Sequence, residues 1–334
     1  MSISTATMTA VCLGTTTYAW FARNGDAVVE NTKFNLESAE GLRISIDGEN
    51  YSQDITLSQL KEVIKAKTGK EYEDTVYNGV TLKHDNNGDL VFDTDGNPLF
   101  EKDSLELITD DQGNVTKEDV KYNHKLVDAV ASDYLAFDIY FKVDYIGKTP
   151  TADYNLWFAT TRSDTGEPTG IYGEESKITL HNKLSTMDGN YKSGDEITYS
   201  PVDAMRLGIV DHNSDDFRIY EQNIGLGSKA VTNSQEDRFN PNKNAMYTYY
   251  NNNHPYEPFK EAAKYNEETI VPTDTASVYE LNELASFERS NDGYNIIHMT
   301  FVFWLEGWDA DFLEMSEESA TNFNISLAFE LRTV

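Results

Sequence analysis

The stretch FWLEGWDAD, residues 303 to 311, sets the carboxylates Glu306, Asp309 and Asp311 beside the indoles Trp304 and Trp308. Acidic groups among aromatic rings equip glycosidases and sugar-binding sites alike, the first through a pair of carboxylates that move protons and attack the sugar. The alternation of the same stretch argues for packing instead. Phe301, Phe303 and Leu305 face one way along a strand and Val302, Trp304 and Glu306 the other, after which Asp309 can satisfy turn N–H groups beside Trp308. One acidic cluster with no second carboxylate partner is weak equipment for acid–base work, so the chain is not expected to be an enzyme. An acid hydrolase would rest on Glu306 and Asp309 alone.

The six histidines, His84, His124, His181, His212, His254 and His298, are scattered, with no H-E-x-x-H and no pair at metal-ligand spacing, and zinc catalysis is not expected. A G-x-S-x-G elbow, a Gly-rich phosphate loop and a dinucleotide fingerprint are missing from the sequence as well, so no cofactor is expected. Calcium is the one ion with candidate ligands. Asp85, Asn87, Asp93, Asp95 and Asp110, in the clusters HDNNGD, DTDGNP and TDDQGN, resemble fragments of calcium loops. None continues to the Glu that completes an EF-hand, and Asx-rich hairpin turns account for the same residues.

The elements that would position these groups read as strands. DYLAFDIYFKVDY, residues 133 to 145, puts Leu135, Phe137, Ile139, Phe141 and Val143 on one face and should be central. FNLESAEGLRISIDG, residues 34 to 48, alternates through Leu42, Ile44 and Ile46 as a strand that opens the domain. YNLWFAT, SKITL, DAMRLGIVD, FRIYEQN, GYNIIHMTFVFWLEG and NFNISLAFELRTV supply six more. A short amphipathic helix is expected over 55–67, carrying Ile55, Leu57, Leu60, Val63 and Ile64 and ending at Gly69, and one further helix over 277–286. Strands without intervening helices predict a mainly β fold, an antiparallel β-sandwich of jelly-roll type with a short helix and hairpin and loop insertions. The insertions fall at about 48–125 and 222–275 within a domain spanning 25–334. In the second, NPNKNAMYTYYNNNHPYEPF carries Tyr247, Tyr249 and Tyr250, which suit a contact surface or a self-packed loop.

Charge narrows the partners. Asp and Glu number 57 against 27 Lys and Arg, a formal charge of -30, which repels nucleic acid and anionic membrane surfaces and favours solubility and cation binding. The single cysteine, Cys12, leaves the body of the chain without an internal disulfide or a cysteine-based zinc site.

Residues 1 to 22 are uncharged and Thr-rich, too polar for a stable membrane span. They lack the basic region expected ahead of an export signal's apolar run. Residues 1–24 therefore read either as an export-signal remnant or as a retained strand. Thr15, Thr16 and Thr17 favour extended backbone, and Tyr18, Trp20 and Phe21 are bulky anchors.

GTTTYAWFARN resembles the end of the signal region in Firmicute proteins exported through the SipW type of signal peptidase, the group that includes the TasA biofilm-fibre proteins. AFDIYFKVDY, DAMRLGIV, RIYEQN and MTFVFWLEGWDADF resemble blocks of surface proteins sharing that leader, across residues 15 to 331. The resemblance implies a jelly-roll-like sandwich at the surface of a Gram-positive-type bacterium, meeting the membrane only during export. It also implies that subunits join into a homopolymer, a filament or biofilm matrix, by lending an N-terminal strand (Thr15, Thr16, Thr17, Tyr18, Trp20, Phe21) to a neighbour. The alternative expectation is a monomeric surface module that binds glycan or another ligand through Trp304, Trp308, Tyr247, Tyr249 and Tyr250.

Overall fold

A computed structural model describes residues 27–28, 33–38, 41–71, 76–77, 79–83, 85, 89–107, 122–144, 153–159, 161, 166, 169–173, 176–179, 184–186, 189–192, 194–199, 205–214, 216–222, 270–273, 283–287, 293–306 and 323–333. In chain order the elements are β1 (Ala27–Val28), β2 (Lys33–Ser38), β3 (Leu42–Ser45), β4 (Asp54–Ile55), α1 (Leu57–Thr68), β5 (Val76–Tyr77), β6 (Gly79–Leu82), β7 (Phe100–Leu107), β8 (Tyr122–Asp128), β9 (Leu135–Asp144) and β10 (Tyr154–Ala159). There follow β11 (Gly170–Gly173), β12 (Ser176–Thr179), β13 (Leu184–Thr186), β14 (Gly189–Tyr191), β15 (Glu196–Tyr199), β16 (Met205–Asp211), β17 (Asp216–Gln222), β18 (Ile270–Thr273), β19 (Glu283–Phe287), β20 (Tyr294–Glu306) and β21 (Phe323–Thr333). The chain is mainly β, as its period-two patterning predicts.

Two large sheets carry the fold. The nine-stranded sheet runs β18-β17-β16-β20-β6-β7-β8, with β9 also on β20 and β3 beyond β9. The six-stranded sheet runs β19-β10-β21-β2-β4, with β11 on β21. Most pairs are antiparallel, while β2–β21, β17–β18 and β6–β20 are parallel. Three two-stranded ribbons, β1–β5, β12–β15 and β13–β14, lie outside these two sheets.

The alternation of β9 is the clearest link from sequence to core. Leu135, Phe137, Ile139, Phe141 and Val143 are buried and the residues between them are not. They face Phe158 of β10 and Ile325, Leu327 and Phe329 of β21, so the two sheets close on one aromatic core. Phe301 sits at its middle, with ring centroids 6.3 Å from Phe137, 6.3 Å from Phe141, 6.5 Å from Phe158 and 5.8 Å from Phe329.

A second cluster covers the opposite face of the same sheet. Val302 and Trp304 of β20 pack with Val210, Phe217 and Ile219 against Val80, Leu82 and Phe100. The run from 299 to 306 is therefore buried without a break, because Val80, Leu82 and Phe100 shield the face that would otherwise meet water. Their strands continue the nine-stranded sheet, β6 pairing Gly79 with Leu305 and Val80 with Glu306.

Two expectations are corrected. The alternating run over 34–48 is two strands that enter different sheets, β2 beside β21 and β3 beside β9. Between them Gly41 has φ +91°, a conformation that glycine adopts without Cβ strain and that carries the chain from one layer to the other. The helix expected over 277–286 is not formed at its end: residues 283–287 are β19, paired with β10, while 277–282 lie outside the described residues. Burial of Leu284 and Phe287 against the sandwich outweighs the helical propensity of ELNELA.

The early helix α1 covers the end of the core with Leu60 and Ile64. Thr56 and Gln59 form a reciprocal cap, Thr56 Oγ1 accepting from the Gln59 N–H at 3.3 Å and Gln59 Oε1 accepting from the Thr56 N–H at 2.9 Å. Gly69, at φ +72°, ends the helix and donates its N–H to the Lys65 carbonyl. Thr56→Ala is expected to cost about 1 kcal/mol, read as a lowered urea midpoint with an unchanged slope. Among the described residues no helix is long and apolar enough to cross a membrane.

Candidate functional site

Neighbouring strands bring distant polar residues together on the face of the nine-stranded sheet that points away from the shared core. β9 contributes Asp138 and Tyr140, and β20 contributes His298 and Thr300, in a register that sets Asp138 opposite Thr300 and Tyr140 opposite His298. His212 follows the last residue of β16, where Asp211 lies opposite Met299, and its N–H donates to the His298 carbonyl at 3.1 Å. Residues 74 and 86 positions apart in sequence thus share one patch only because three strands pair.

The rings form a column. Tyr140 stacks on His298 with centroids 4.3 Å apart and planes 7° from parallel, and His298 stacks on His212 at 4.2 Å and 21°. Beyond Tyr140, a Cβ added at Gly48 would lie 3.3 Å from the phenol ring, so this glycine permits the close approach of the 45–50 turn. Asp47 builds that turn by accepting from the N–H groups of Glu49 and Asn50, each at 2.8 Å, and from Ser45 Oγ at 2.7 Å. Those bonds hold its carboxyl well below the usual range.

A hydrogen-bond chain runs beside the column. Thr300 Oγ1 donates to Asp138 Oδ1 at 2.6 Å, which leaves the hydroxyl as acceptor for His212 Nε2 at 2.7 Å. His298 Nε2 lies 3.4 Å from the same Asp138 Oδ1, a long polar contact, and the Lys67 ammonium is 3.7 Å from Asp138 Oδ2. Burial by itself would raise the Asp138 carboxyl. His298, Thr300 and Lys67 outweigh it and bring the group to about 2, below its ordinary 3.8.

Because the folded value lies below the unfolded one, this carboxylate contributes stability that is complete above about pH 4 and is lost as pH falls toward about 2. A third of the side chain is exposed, so the expected size is on the order of 1–2 kcal/mol. Urea unfolding of the parent and Asp138→Asn at about pH 5 and about pH 2.5 reads it. The variant should be the less stable at the higher pH, and the gap should close at the lower.

The residues singled out in the sequence fall elsewhere. Trp304 is fully buried, packed on Phe100 at 5.1 Å, and its Nε1–H donates to Glu306 Oε2 at 3.2 Å. It is an interior ring and presents no face to a ligand. Glu306 is also fully buried, on the same face as Arg206, which register places opposite Trp304. Both charges lie buried at diagonal positions on one face, and the Glu306 carboxyl is closed to a substrate. Asp85 and Asp93 organise turns: Asp85 Oδ1 accepts from the Asp89 N–H at 3.0 Å, and Asp93 Oδ1 from the N–H groups of Asp95 at 2.8 Å and Asn97 at 2.9 Å. Asn87, Asp110, Trp308, Asp309, Asp311, Tyr247, Tyr249, Tyr250 and the segment from Thr15 to Phe21 lie outside the described residues.

The cluster that the fold does assemble, Asp138, His212 and His298, has no signature along the chain. The alternation that marks β9 and β20 predicts that 138, 298 and 300 share a face, but the register that makes them neighbours is a tertiary property. No protein-family model matches the chain, and neither does any curated protein or any solved structure.

Proposed function

We propose that the protein is an exported structural subunit of a cell-surface filament or matrix, joined to its neighbour by an N-terminal strand. The supporting observation is the pairing of β2. All six of its residues pair with β21 on one side, whereas on the other, among the described residues, only Leu36 and Glu37 pair, with Ile55 and Asp54 of β4. An edge of this kind is a template for an incoming strand.

The opposite edge of the same sheet is occupied differently. Arg218 of β17 donates through Nη1 to the Glu283 carbonyl at 2.6 Å and through Nη2 to the Leu284 carbonyl at 2.7 Å, and Asp216 Oδ2 holds its Nε at 2.6 Å. A guanidinium bound to the carbonyls of β19 competes with strand addition there. One accepting edge and one donated strand make a heterologous contact, and such a contact propagates into an open filament unless its rotation closes a ring.

Charge should set the conditions for assembly. Subunits of formal charge -30 repel one another over a screening length of about 10 Å in ~0.1 M salt. Sedimentation velocity across sodium and calcium titrations is expected to show polymers growing with ionic strength and more steeply with the divalent ion. A monomer at every ion concentration would remove this reading.

A further inference from the structure

We infer that Asp138, His212 and His298 form a binding site for a divalent transition-metal ion of the zinc class. Each offers one ligand atom, and these atoms lie within 4.8 Å of one another on the outer face of β9 and β20. Zinc holds imidazole nitrogen and carboxylate oxygen at about 2.0–2.2 Å. Ligand atoms around it therefore stand about 3.3 Å apart, so the three have on the order of 1 Å to close. Two stacked rings must fan open for this, and half-buried side chains at a sheet surface have the room to do it.

A second observation points to a ligand. His298 Nε2 is out of contact with solvent, makes no directed hydrogen bond among the described residues, and is met only by the Asp138 carboxylate at 3.4 Å. A buried nitrogen held only by one long contact is incompletely satisfied, and an ion between imidazole and carboxylate would complete it. Thr300 already plays the supporting part common in such sites, donating to Asp138 Oδ1 and so orienting the carboxylate.

The donor set selects the ion. Two imidazoles with one carboxylate suit zinc, copper, nickel or ferrous iron and leave a coordination position open for water or another ligand. Calcium asks for six to eight oxygens, which this patch does not offer. Lys67 is the built-in competitor, because its ammonium sits on Asp138 Oδ2 from the last turn of α1. Its side chain is more than a third exposed and can swing into water when an ion arrives.

The test is calorimetric titration of the full chain with zinc chloride, together with the visible spectrum of the cobalt(II) form. One saturable site per chain is expected, with a cobalt spectrum showing nitrogen ligation. His298→Gln and His212→Gln should each weaken zinc by at least about tenfold, and Lys67→Met should strengthen it. Thermal unfolding without metal verifies that each variant is folded. Three results would overturn the proposal: no saturable binding, histidine variants that hold zinc as the parent does, or displacement of zinc by millimolar calcium, which would place the ion on scattered surface carboxylates.

Discussion

Phe301→Ala is expected to lower stability by about 3–5 kcal/mol, the range for removing a fully buried aromatic ring from a core. The ring is fully buried and meets Phe137 and Phe141 on its own sheet and Phe158 and Phe329 on the other. Its loss leaves a cavity between layers whose backbones are fixed by ladders on both sides of β20, so collapse is limited. For a chain of this size the thermal midpoint should fall by roughly 4–7 °C. A fall of under about 2 °C would mean that the two sheets do not share this core.

Deleting residues 1–24 is expected to leave a folded, soluble monomer that no longer polymerises. Thr15, Thr16 and Thr17 prefer extended backbone, and Tyr18, Trp20 and Phe21 are large rings on an uncharged segment that would aggregate if left in water. A neighbour's sheet edge can bury them and complete their ladder of hydrogen bonds. Among the described residues the core is already closed by side chains of β9, β10, β20 and β21. Circular dichroism and light scattering on the truncated chain separate the outcomes. Unfolding would assign the segment to its own domain, and persistent polymers would leave it no role in assembly.

Local pattern carried much of the fold. Period-two alternation located β9 to within a residue or two, because a half-buried strand must alternate, whereas β20 was legible as a long apolar and aromatic run that is buried on both faces from 299 to 306. The helix was legible from apolar residues at helical spacing and a glycine at its end, while its threonine cap emerged only in the structure. Pairing was not legible. Nothing within 34–48 says that Leu36 and Ile44 belong to different layers, since the same alternation serves either sheet and only Gly41 marks the crossing. The run at 283–287 reads as helix by propensity and becomes an edge strand because Leu284 and Phe287 find the core.

The candidate site shows the same division more sharply. Trp304 and Glu306 drew attention through their types and proximity, yet proximity along a strand placed both in the interior, where the 79–100 hairpins cover them. His212 and His298 read as two of six scattered histidines, being far apart in sequence, and the pairing of β16 with β20 set them ring on ring. Chemistry that depends on register cannot be read from spacing.

Assembly through a donated strand is tested most directly by cross-linking in trans. Two versions of the full chain, both with Cys12→Ser, would carry Thr17→Cys in the donor segment and Asn35→Cys in β2 respectively, and be mixed under oxidising conditions that favour polymer. A disulfide is expected between the two versions, forming only in the mixture and only while polymer is present. A chain carrying both substitutions that closes the bond within itself, or a mixture that polymerises with no cross-link to β2, would contradict it.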